Sequence, residues 1–426
     1  MIVEATIIIN RKKPYFFQNT AFLIGNFCYD RTVDYPYDEM VTCMQKLQIY
    51  LEKFDYLYFS LIILLGLASL LSLYQVQVLQ GEYFVLQQVV WYVIGLGGCF
   101  VVSYFLDLDI LKRLSLFVYL FFLLLLVGIL IAPSSISKEI NEAYGWYTIG
   151  GFSFQPAESM KIGLILYLAQ VISKGTDSSP ALKEEILLVG KLTVITLIPV
   201  AVVMQFPDFG NAMVYLAIYG AMLLVSRVRI KTILLIFSVP LTFVLALTIT
   251  YFVATDFFLD RILGMLPSYQ ASRFYGWLQP EKYTISGYQL NQSIMAIGSG
   301  NMSGYENLPH VPYAYSDLIF AVIGGVFGFV GTSLVLLLYF MLIYKIVMIS
   351  QRYHDSFGTL IGAGIAGFLT FQIFQNVGMS IGLMPVTGLG LPLISYGGSA
   401  LVITLASLGL ILNMRVNTMT FMFGNK

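Results

Sequence analysis

The stretch Ser356–Met414 reads SFGTLIGAGIAGFLTFQIFQNVGMSIGLMPVTGLGLPLISYGGSALVITLASLGLILNM and carries no charged side chain over its 59 residues. A transmembrane helix needs about 20 predominantly apolar residues to cross the hydrocarbon core of a bilayer, so this stretch is long enough for two crossings. Its middle, Met384–Ser399, is rich in glycine and proline. Non-helical backbone at membrane depth persists only where protein or a water-filled cavity covers it, which favours a re-entrant turn over an ordinary loop.

The rest of the chain repeats this pattern of apolar segments separated by charged connections. Six further segments of 18 to 27 residues lack charged side chains: Tyr56–Gln80, Tyr83–Leu106, Leu114–Ser137, Phe209–Ser226, Thr232–Thr255 and Leu318–Tyr344. Leu192–Phe206 and about Ala157–Ser173 bring the count to ten. Only 11% of the residues are charged and the mean hydropathy is +0.81, whereas soluble domains carry about 25% charged residues. The sequence predicts an all-α integral membrane protein with about ten transmembrane helices.

The distribution of Lys and Arg predicts the orientation in the membrane. With the N-terminus inside, eighteen of the 23 basic residues fall on the cytoplasmic side, as the positive-inside rule requires. Both termini are then cytoplasmic. The net charge is zero, which excludes a global field that attracts nucleic acid. The three cysteines show no paired spacing, and two histidines are too few for a His-rich metal site. The sequence therefore indicates neither a disulfide framework nor a zinc site.

The domain organisation follows from the same pattern. Residues 1–53 are rich in charged residues and lack the apolar core of a cleavable signal peptide, so we expect a cytoplasmic N-terminal extension. Residues 54–415 form the membrane domain, and residues 416–426 form a short cytoplasmic tail. A long extracytoplasmic loop, residues 256–315, is predicted between spans 7 and 8, and its aromatic residues and a helical segment at Tyr288–Ile297 suit a substrate at the lipid–water boundary.

Three carboxylates stand close to span ends on the predicted outer side: Glu158, Asp208 and Asp317. Ionisable residues within spans are costly and usually face a cavity. Lys161 follows Glu158 by three residues, so both lie on one helix face and can pair. The structural alternative is an ion pair together with helix N-caps at the two aspartates.

Five blocks of sequence carry a family resemblance. They are Gly145–Lys161 (GWYTIGGFSFQPAESMK), Pro207–Gly210 (PDFG), Asn291–Gly300 (NQSIMAIGSG), Tyr315–Gly324 (YSDLIFAVIG), and a last block made of Phe371–Asn376 and Gly388–Ser399. In this order they resemble the motifs of the SEDS family, the shape, elongation, division and sporulation proteins that include RodA and FtsW. The resemblance covers about residues 54–415 and is nearer to RodA, because the chain stops soon after its last span.

The resemblance implies an enzyme of cell-wall synthesis. Members of the family are peptidoglycan glycosyltransferases, which polymerise lipid II, a disaccharide-peptide on undecaprenyl pyrophosphate, at the outer face of the bacterial cytoplasmic membrane. The other substrate is the lipid-linked glycan strand, and the implied partner is a class B penicillin-binding protein, which supplies the transpeptidase. The family's essential aspartate falls on Asp317, and the Glu and Lys of its QPSE block fall on Glu158 and Lys161.

The chemistry of this reaction assigns expected roles. A carboxylate at Asp317 can accept the proton of the attacking sugar hydroxyl, and cations must stabilise the leaving pyrophosphate. Lys161 and Arg273 are the first candidates for these cations, with Arg261 and Lys282 as alternatives. The expected substrate-binding residues are Glu158, Lys161, Asp208, Arg273, Gln292 and Ser395. A divalent cation, Mg²⁺ or Mn²⁺, is left open as a cofactor, and no ligand cluster of diagnostic spacing assigns its ligands.

The chain departs from the family pattern beside Asp317. Tyr315 and Ser316 stand where the family has His-Thr, and Gly325 and Val326 replace a pair of glutamates. Two alternatives therefore remain beside the polymerase: a lipid II flippase or transporter, and a catalytically impaired scaffold of the same family. A flippase needs polar groups at several depths, whereas the ionisable residues here lie mostly at span ends.

Overall fold

The structure is a computed structural model that describes residues 50–133, 137–140, 143–149, 152–174, 182–305 and 309–422. The chain divides into two units, Met1–Phe54 and Asp55–Lys426. In the first unit, residues 50–54 are described, and residues 50–53 are helical. The predicted extension over residues 1–53 lies almost wholly outside the described residues, as do residues 423–426 of the tail.

Helices dominate the second unit. Those of eleven residues or more in the described part of the chain are α1 Tyr56–Gln80, α2 Val85–Phe105, α3 Leu108–Ile131, α4 Pro156–Lys174, α5 Leu182–Val203, α6 Phe209–Val225, α7 Ile230–Val253, α8 Ser268–Leu278, α9 Thr284–Ser299, α10 Ile319–Gln351, α11 Ser356–Ser380 and α12 Gly398–Met422. Between α7 and α8 the chain forms short helical turns from Thr255 to Met265.

Eight of these helices are long and apolar enough to cross a membrane. They are α1, α2, α3, α5, α7, α10, α11 and α12. Of the two other predicted spans, α6 has 17 residues, and α4 carries Glu158 and Lys161 within its first two turns. The helical membrane class is therefore confirmed, whereas the number of ten spans and the position of the long loop stay predictions.

A small sheet, which the sequence analysis did not predict, joins α3 to α4. Its strands are β1 Ser137–Ile140, β2 Ala143–Ile149 and β3 Phe152–Phe154, paired antiparallel in that order. The hydroxyl of Tyr147 in β2 donates to the carbonyl oxygen of Leu125 in α3 at 2.9 Å, which ties the sheet to the helical bundle. The sheet leads directly into α4 and so positions Glu158 and Lys161.

The bundle is held together by close helix pairs, of which α2 and α12 are one example. A methyl group on Gly409 of α12 would lie 2.6 Å from the carbonyl oxygen of Cys99 in α2, so only glycine permits this approach. The side-chain amide of Asn413 donates to three carbonyl oxygens at the end of α2, including that of Leu106 at 2.7 Å. These contacts fix α12, which follows the glycine-rich segment, against the rest of the bundle.

The glycine-rich segment between α11 and α12 is non-helical, and its middle, Leu389 and Leu391–Ile394, is buried. Four successive carbonyl oxygens, from Pro392 to Ser395, accept side-chain hydrogen bonds from Tyr339 of α10, Tyr92 of α2, Ser69 of α1 (2.7 Å) and Gln88 of α2 (3.3 Å), in that order. Because buried backbone groups are costly without partners, these donors explain how irregular backbone survives inside the bundle. The predicted non-helical backbone is present, whereas the re-entrant position of the segment in the membrane stays a prediction.

Helix α10 is broken at Gly328, where the backbone angles are φ 63° and ψ −161°. The segment before α10 pairs with the break: Phe329 N–H donates to Asn301 O at 2.9 Å, and Tyr305 N–H donates to Gly325 O at 2.9 Å. A helix interrupted in this way leaves backbone groups without intrahelical partners, and the turn at residues 301–305 supplies partners to these two groups. The sequence predicts one unbroken span over Leu318–Tyr344, so the break departs from that expectation.

Helix α7 stands apart from the bundle. Of its 24 residues, Ile233 alone is buried by the described part of the chain. Its apolar side chains, among them Phe243 and Val253, are exposed. Such a helix is stable in lipid rather than in water.

Candidate active site

Asp317 lies in the turn that precedes α10 rather than at the helix cap. The helix begins at Ile319, with Leu318 as the capping residue and no side-chain cap hydrogen bond. The turn closes on Tyr313, whose carbonyl oxygen accepts from Ser316 N–H at 3.1 Å and from Leu318 N–H at 3.3 Å. Asp317 is therefore not the N-cap of α10, unlike the structural alternative predicted for it. Its half-buried carboxylate makes no capping hydrogen bond and can take part in binding or catalysis.

Two side chains and one backbone bond hold this turn against the glycine-rich segment. The buried amide of Asn376 donates to Asp317 O and to Leu389 O, both at 2.8 Å. The hydroxyl of Ser395 donates to Ser316 O at 2.6 Å. Tyr396 N–H donates to Tyr315 O at 2.8 Å. Together these bonds fix the position of the Asp317 backbone.

Gly388 lies beside both the Asp317 carboxylate and the Arg273 guanidinium. Its backbone is left-handed (φ +79°), and a methyl group there would lie 3.5 Å from Asp317 Oδ2 and 3.7 Å from Arg273 Nη1. Arg273 comes from α8 and is oriented by a 2.7 Å hydrogen bond from Nη1 to Val386 O. One anionic and one cationic side chain therefore meet the surface at the same exposed glycine.

Burial and Arg273 act in opposite directions on the pKa of Asp317. Partial burial disfavours the charged carboxylate and raises this pKa above the usual range of an aspartate, whereas the Arg273 guanidinium and a hydrogen bond from Ser316 lower it. The net effect is a raised pKa. A carboxyl group with a pKa nearer to neutral pH is better suited to exchange protons with a substrate.

Glu158 and Lys161 form a buried ion pair on the first two turns of α4. Lys161 Nζ donates to both carboxylate oxygens of Glu158 at 2.8 Å, and the two side chains are 7% and 3% exposed for Glu158 and Lys161. Lys161 Nζ also lies 5.9 Å from the centre of the Phe368 ring, in the range of a cation–π contact. The charges largely neutralise each other, as the structural alternative for this pair requires.

Asp208 caps α6. Its Oδ1 accepts from Asn211 N–H at 3.0 Å, and its Oδ2 accepts from the Asn211 amide at 2.8 Å and from Gln155 Nε2 at 3.4 Å. Burial raises the pKa of Asp208, with a further contribution from the nearby charge of Glu158. The capping alternative thus describes Asp208, and its carboxylate lies near the Glu158–Lys161 pair.

The predicted residues therefore form two neighbouring groups, which the glycine-rich segment connects. Asp317 and Arg273 form one group, and Glu158, Lys161 and Asp208 form the other. The carbonyl of Leu389 binds Asn376 beside Asp317, while its side chain packs where a methyl on Gly210 of α6 would be. At the end of the same segment, Ser399 Oγ accepts from Gln155 N–H at 3.4 Å.

The other predicted residues lie elsewhere or have different partners. Gln292 is half-buried on α9, and no contact recorded within the described ranges links it to Asp317. Ser395 Oγ donates to Ser316 O and accepts from Leu391 N–H at 2.6 Å, so its hydroxyl is engaged within the protein. Arg261 lies exposed between α7 and α8, and exposed Lys282 stacks near the Tyr283 ring.

Three residues at the site were missed as functional candidates: Asn376, Gly388 and Gln155. Each lies inside a block that carries the family resemblance. The family resemblance was therefore the signal that could have identified these three residues. It could not predict their contacts, because Asn376 and Asp317, for example, are 59 positions apart in the chain.

The described side chains around Asp317 do not form a dedicated metal-binding site. Among the described residues, no group of three or more His, Cys, Asp and Glu side chains could hold a metal ion. Asp317 has a guanidinium beside it, which opposes cation binding at the same carboxylate. Any Mg²⁺ or Mn²⁺ would depend on the phosphates of a substrate for most of its ligands.

The fold and the site define a polytopic membrane protein with a partly buried aspartate and arginine beside a non-helical, glycine-rich segment. The chain belongs to the cell cycle protein family of FtsW, RodA and SpoVE, whose sequence model matches residues 52–420. The predicted family is thereby confirmed.

Named relatives and a solved structure resemble most of the chain. The probable peptidoglycan glycosyltransferase FtsW of Trichlorobacter lovleyi is 30% identical over 78% of this chain and 84% of its own length. The peptidoglycan glycosyltransferase RodA of Treponema pallidum is 29% identical over 85% of this chain and 97% of its own. A structure described as "Structural coordination of polymerization and crosslinking by a peptidoglycan synthase complex" is similar with a TM-score of 0.68, 29% identity, and coverage of 87% of this chain and 99% of that one.

Proposed function

We propose that this protein is a peptidoglycan glycosyltransferase that polymerises lipid II into glycan strands at the outer face of the bacterial cytoplasmic membrane. The observation that carries the proposal is the placement of the Asp317 carboxylate and the Arg273 guanidinium beside the same exposed glycine, Gly388. One group can accept a proton, and the other can stabilise an anion that approaches the same point. The names of the FtsW and RodA relatives support the same activity.

In the proposed reaction, Asp317 acts as the general base. The sugar 4-hydroxyl attacks the anomeric carbon of the growing strand, its proton passes to the Asp317 carboxylate, and the bond from that carbon to pyrophosphate breaks. The electron pair of the broken bond leaves on the pyrophosphate oxygen. A single displacement of this kind inverts the anomeric centre and converts an α-linked donor into a β-linked strand, so no second carboxylate is needed as a nucleophile.

Arg273 is the stronger of the two first candidates to bind the leaving pyrophosphate. Lys161 is paired with Glu158 through two hydrogen bonds of 2.8 Å, so its charge is already compensated. Arg273 lies beside Asp317 at the exposed Gly388. A guanidinium also matches phosphate oxygens with two parallel donors. In this proposal the substrate also contacts a charged group made of Glu158, Lys161 and Asp208. Further polar contacts to the substrate come from Gln292 on α9 and from Ser395 in the glycine-rich segment.

The proposal includes a class B penicillin-binding protein as the partner. A similar solved structure belongs to a peptidoglycan synthase complex in which polymerisation is coordinated with crosslinking. The partner would join the new strands through their peptides. The undecaprenyl tails would stay in lipid along the exposed apolar faces of the helices.

Replacing Asp317 by Asn tests the proposal. The purified full chain, with and without a class B penicillin-binding protein, is supplied with labelled lipid II, and the strands are resolved by length. Asp317→Asn is expected to lower the rate about 10²–10⁴-fold, the usual contribution of a general base. Asp256→Asn, at an exposed carboxylate after α7, is the matched control.

Two results would contradict the proposal. Polymerisation at the normal rate by a folded Asp317→Asn variant would remove the catalytic assignment. Transfer of labelled lipid between leaflets without strand formation, by the unsubstituted protein with its partner present, would favour the flippase instead. Melting temperatures of both variants in detergent show whether they are folded.

A further inference from the structure

A second polar cavity lies at the opposite end of α10 from Asp317. It has a volume of about 120 Å³, and Asp55, Lys345, Arg352 and Arg415 line it, together with Tyr344. These residues come from the start of α1, the end of α10 and the second half of α12. A cavity of this size holds several water molecules and can admit a small polar group such as a phosphate.

The charges around this cavity are unbalanced. Three cations face one carboxylate, and two of them share it: Lys345 Nζ is 3.1 Å and Arg415 Nε is 3.7 Å from Asp55 Oδ2. Arg415 Nε is buried and has no hydrogen-bond acceptor in the described part of the chain. None of the ion pairs found among the described residues involves Arg352. A buried charged donor without an acceptor is costly, and an anion in the cavity would supply one.

An apolar stripe on α10 leads to the cavity. Leu337, Phe340 and Tyr344 follow one another at helical spacing and are 50%, 68% and 55% exposed. The rings of Phe340 and Tyr344 are stacked with their centres 6.5 Å apart. Tyr344 belongs both to this stripe and to the cavity lining. A ligand that fills the cavity can therefore extend along an apolar surface, which a free phosphate ion would not use.

We propose that this cavity binds the headgroup phosphate of an anionic phospholipid, whose acyl chains lie along the stripe of Leu337, Phe340 and Tyr344. The phosphate oxygens would accept from Arg352 and from Arg415 Nε, in addition to the existing pairing of Lys345 and Arg415 with Asp55. Because Asp55 caps α1 through Tyr58 N–H at 2.9 Å, the bound lipid would join α1, α10 and α12. The site is independent of the proposed glycosyltransferase chemistry, which lies at the other end of α10.

Retention of lipid measures this binding. The full-length protein is placed in nanodiscs with equal amounts of phosphatidylglycerol and phosphatidylcholine, and bound lipids are identified by native mass spectrometry. We expect the unsubstituted protein to retain phosphatidylglycerol selectively. Arg352→Gln should weaken this retention about fivefold, the equivalent of about 1 kcal/mol for one cation near an anionic lipid. Lys231→Gln, at an exposed cation that does not line the cavity, should leave it unchanged.

A second variant separates a fitted site from diffuse attraction of charges. Met348 also lines the cavity, and Met348→Trp fills it without changing any charge, so it should abolish selective retention as well. Equal losses in the Lys231 and Arg352 variants, or normal retention by Met348→Trp, would overturn the proposal. Should Arg352→Gln prove unstable without lipid, the Met348 variant decides alone.

Thermal unfolding in detergent distinguishes the lipid from a soluble anion. Phosphatidylglycerol should raise the melting temperature of the unsubstituted protein more than that of Arg352→Gln at the same lipid concentration, and phosphatidylcholine should raise neither. Inorganic phosphate alone, at the same concentration, should have no effect. An equal rise with inorganic phosphate would assign the cavity to a soluble phosphate and overturn the lipid assignment.

Discussion

The protonation of Asp317 depends on its neighbour Arg273, whose guanidinium favours the charged carboxylate. A general base must be deprotonated to act, so the polymerisation rate should fall as the pH drops through the pKa of Asp317. Removing the positive charge raises this pKa further. In Arg273→Gln, the acidic limb of the pH–rate profile should therefore move to higher pH, in addition to a lower maximal rate.

Arg273→Lys is the matched control for this effect, because it keeps the charge but loses the planar fork of donors. Its acidic limb should lie close to that of the unsubstituted protein. Rates measured with lipid II from pH 5 to 9 compare the three proteins. An acidic limb that stays in place in Arg273→Gln would mean that Asp317 does not control the rate or that Arg273 does not influence it.

Gly388 is a second point at which one residue controls the site. An alanine there would bring a methyl group within 3.5 Å of Asp317 Oδ2 and within 3.7 Å of Arg273 Nη1. It would also force a left-handed conformation on a residue with a side chain, at a cost of about 1–2 kcal/mol. We expect Gly388→Ala to lower the maximal rate about 10²-fold, because relief of this backbone strain would move the segment that holds Asp317 and Arg273 in place, while the protein still folds.

Gly397→Ala is the control for that substitution. Gly397 lies in the same segment, but a methyl group there would meet only Ala400, at 3.8 Å. Strand formation and melting temperature are measured for both variants. Similar activity in the two proteins would show that a glycine at residue 388 is not needed to hold Asp317 and Arg273 in place.

At the scale of elements, the glycine-rich segment depends on side chains from three helices. Tyr92→Phe removes the hydroxyl that donates to Leu393 O and leaves that buried carbonyl without this partner. We expect a loss of about 1–3 kcal/mol in the free energy of unfolding, which is the cost of an unsatisfied buried group. Tyr74→Phe, at an exposed tyrosine of α1, should cost almost nothing. Unfolding in detergent by a denaturant measures both, and equal stabilities would mean that water or backbone movement replaces the lost donor.

The elements of the site were predictable to different degrees. The glycine and proline content of Met384–Ser399 was enough to predict non-helical backbone, since such a sequence cannot continue a helix. The break at Gly328 was not predictable, because hydropathy averages over α10 and is insensitive to one residue's φ. Charge made Asp317 and Arg273 candidates and the family resemblance assigned a role to Asp317, whereas Asn376 was missed because an amide in an apolar helix gives no sign of which carbonyl it will bind.

At the scale of the whole molecule, the distribution of basic residues predicts which ends of the helices face the cytoplasm. In a variant without its three cysteines, a cysteine replacing Lys282 should react with an impermeant maleimide on intact cells. A cysteine replacing Arg227 should react only after the cells are permeabilised. Labelling is followed on gels, and the reverse pattern would invert the predicted orientation.

The membrane class was predictable because composition decides it: a chain with 11% charged residues cannot cover its surface with polar groups. The sheet between α3 and α4 was missed because composition gives no comparable signal for it. Its strands are short, and two aromatic residues, Trp146 and Tyr147, stand in a segment that looks like an ordinary connection. Pairing between strands is decided by neighbours that a scan for apolar spans does not consider.

The isolation of α7 has a consequence for how the family diversifies. Since Ile233 alone among its residues is buried by the described part of the chain, we expect the thickness of the bilayer to constrain its sequence more than packing against protein does. At about 1.5 Å per residue, its 24 residues extend about 36 Å, slightly more than a typical hydrocarbon core. Substitutions of one apolar residue by another should therefore be common along α7 in related proteins, whereas the length of this helix should be conserved.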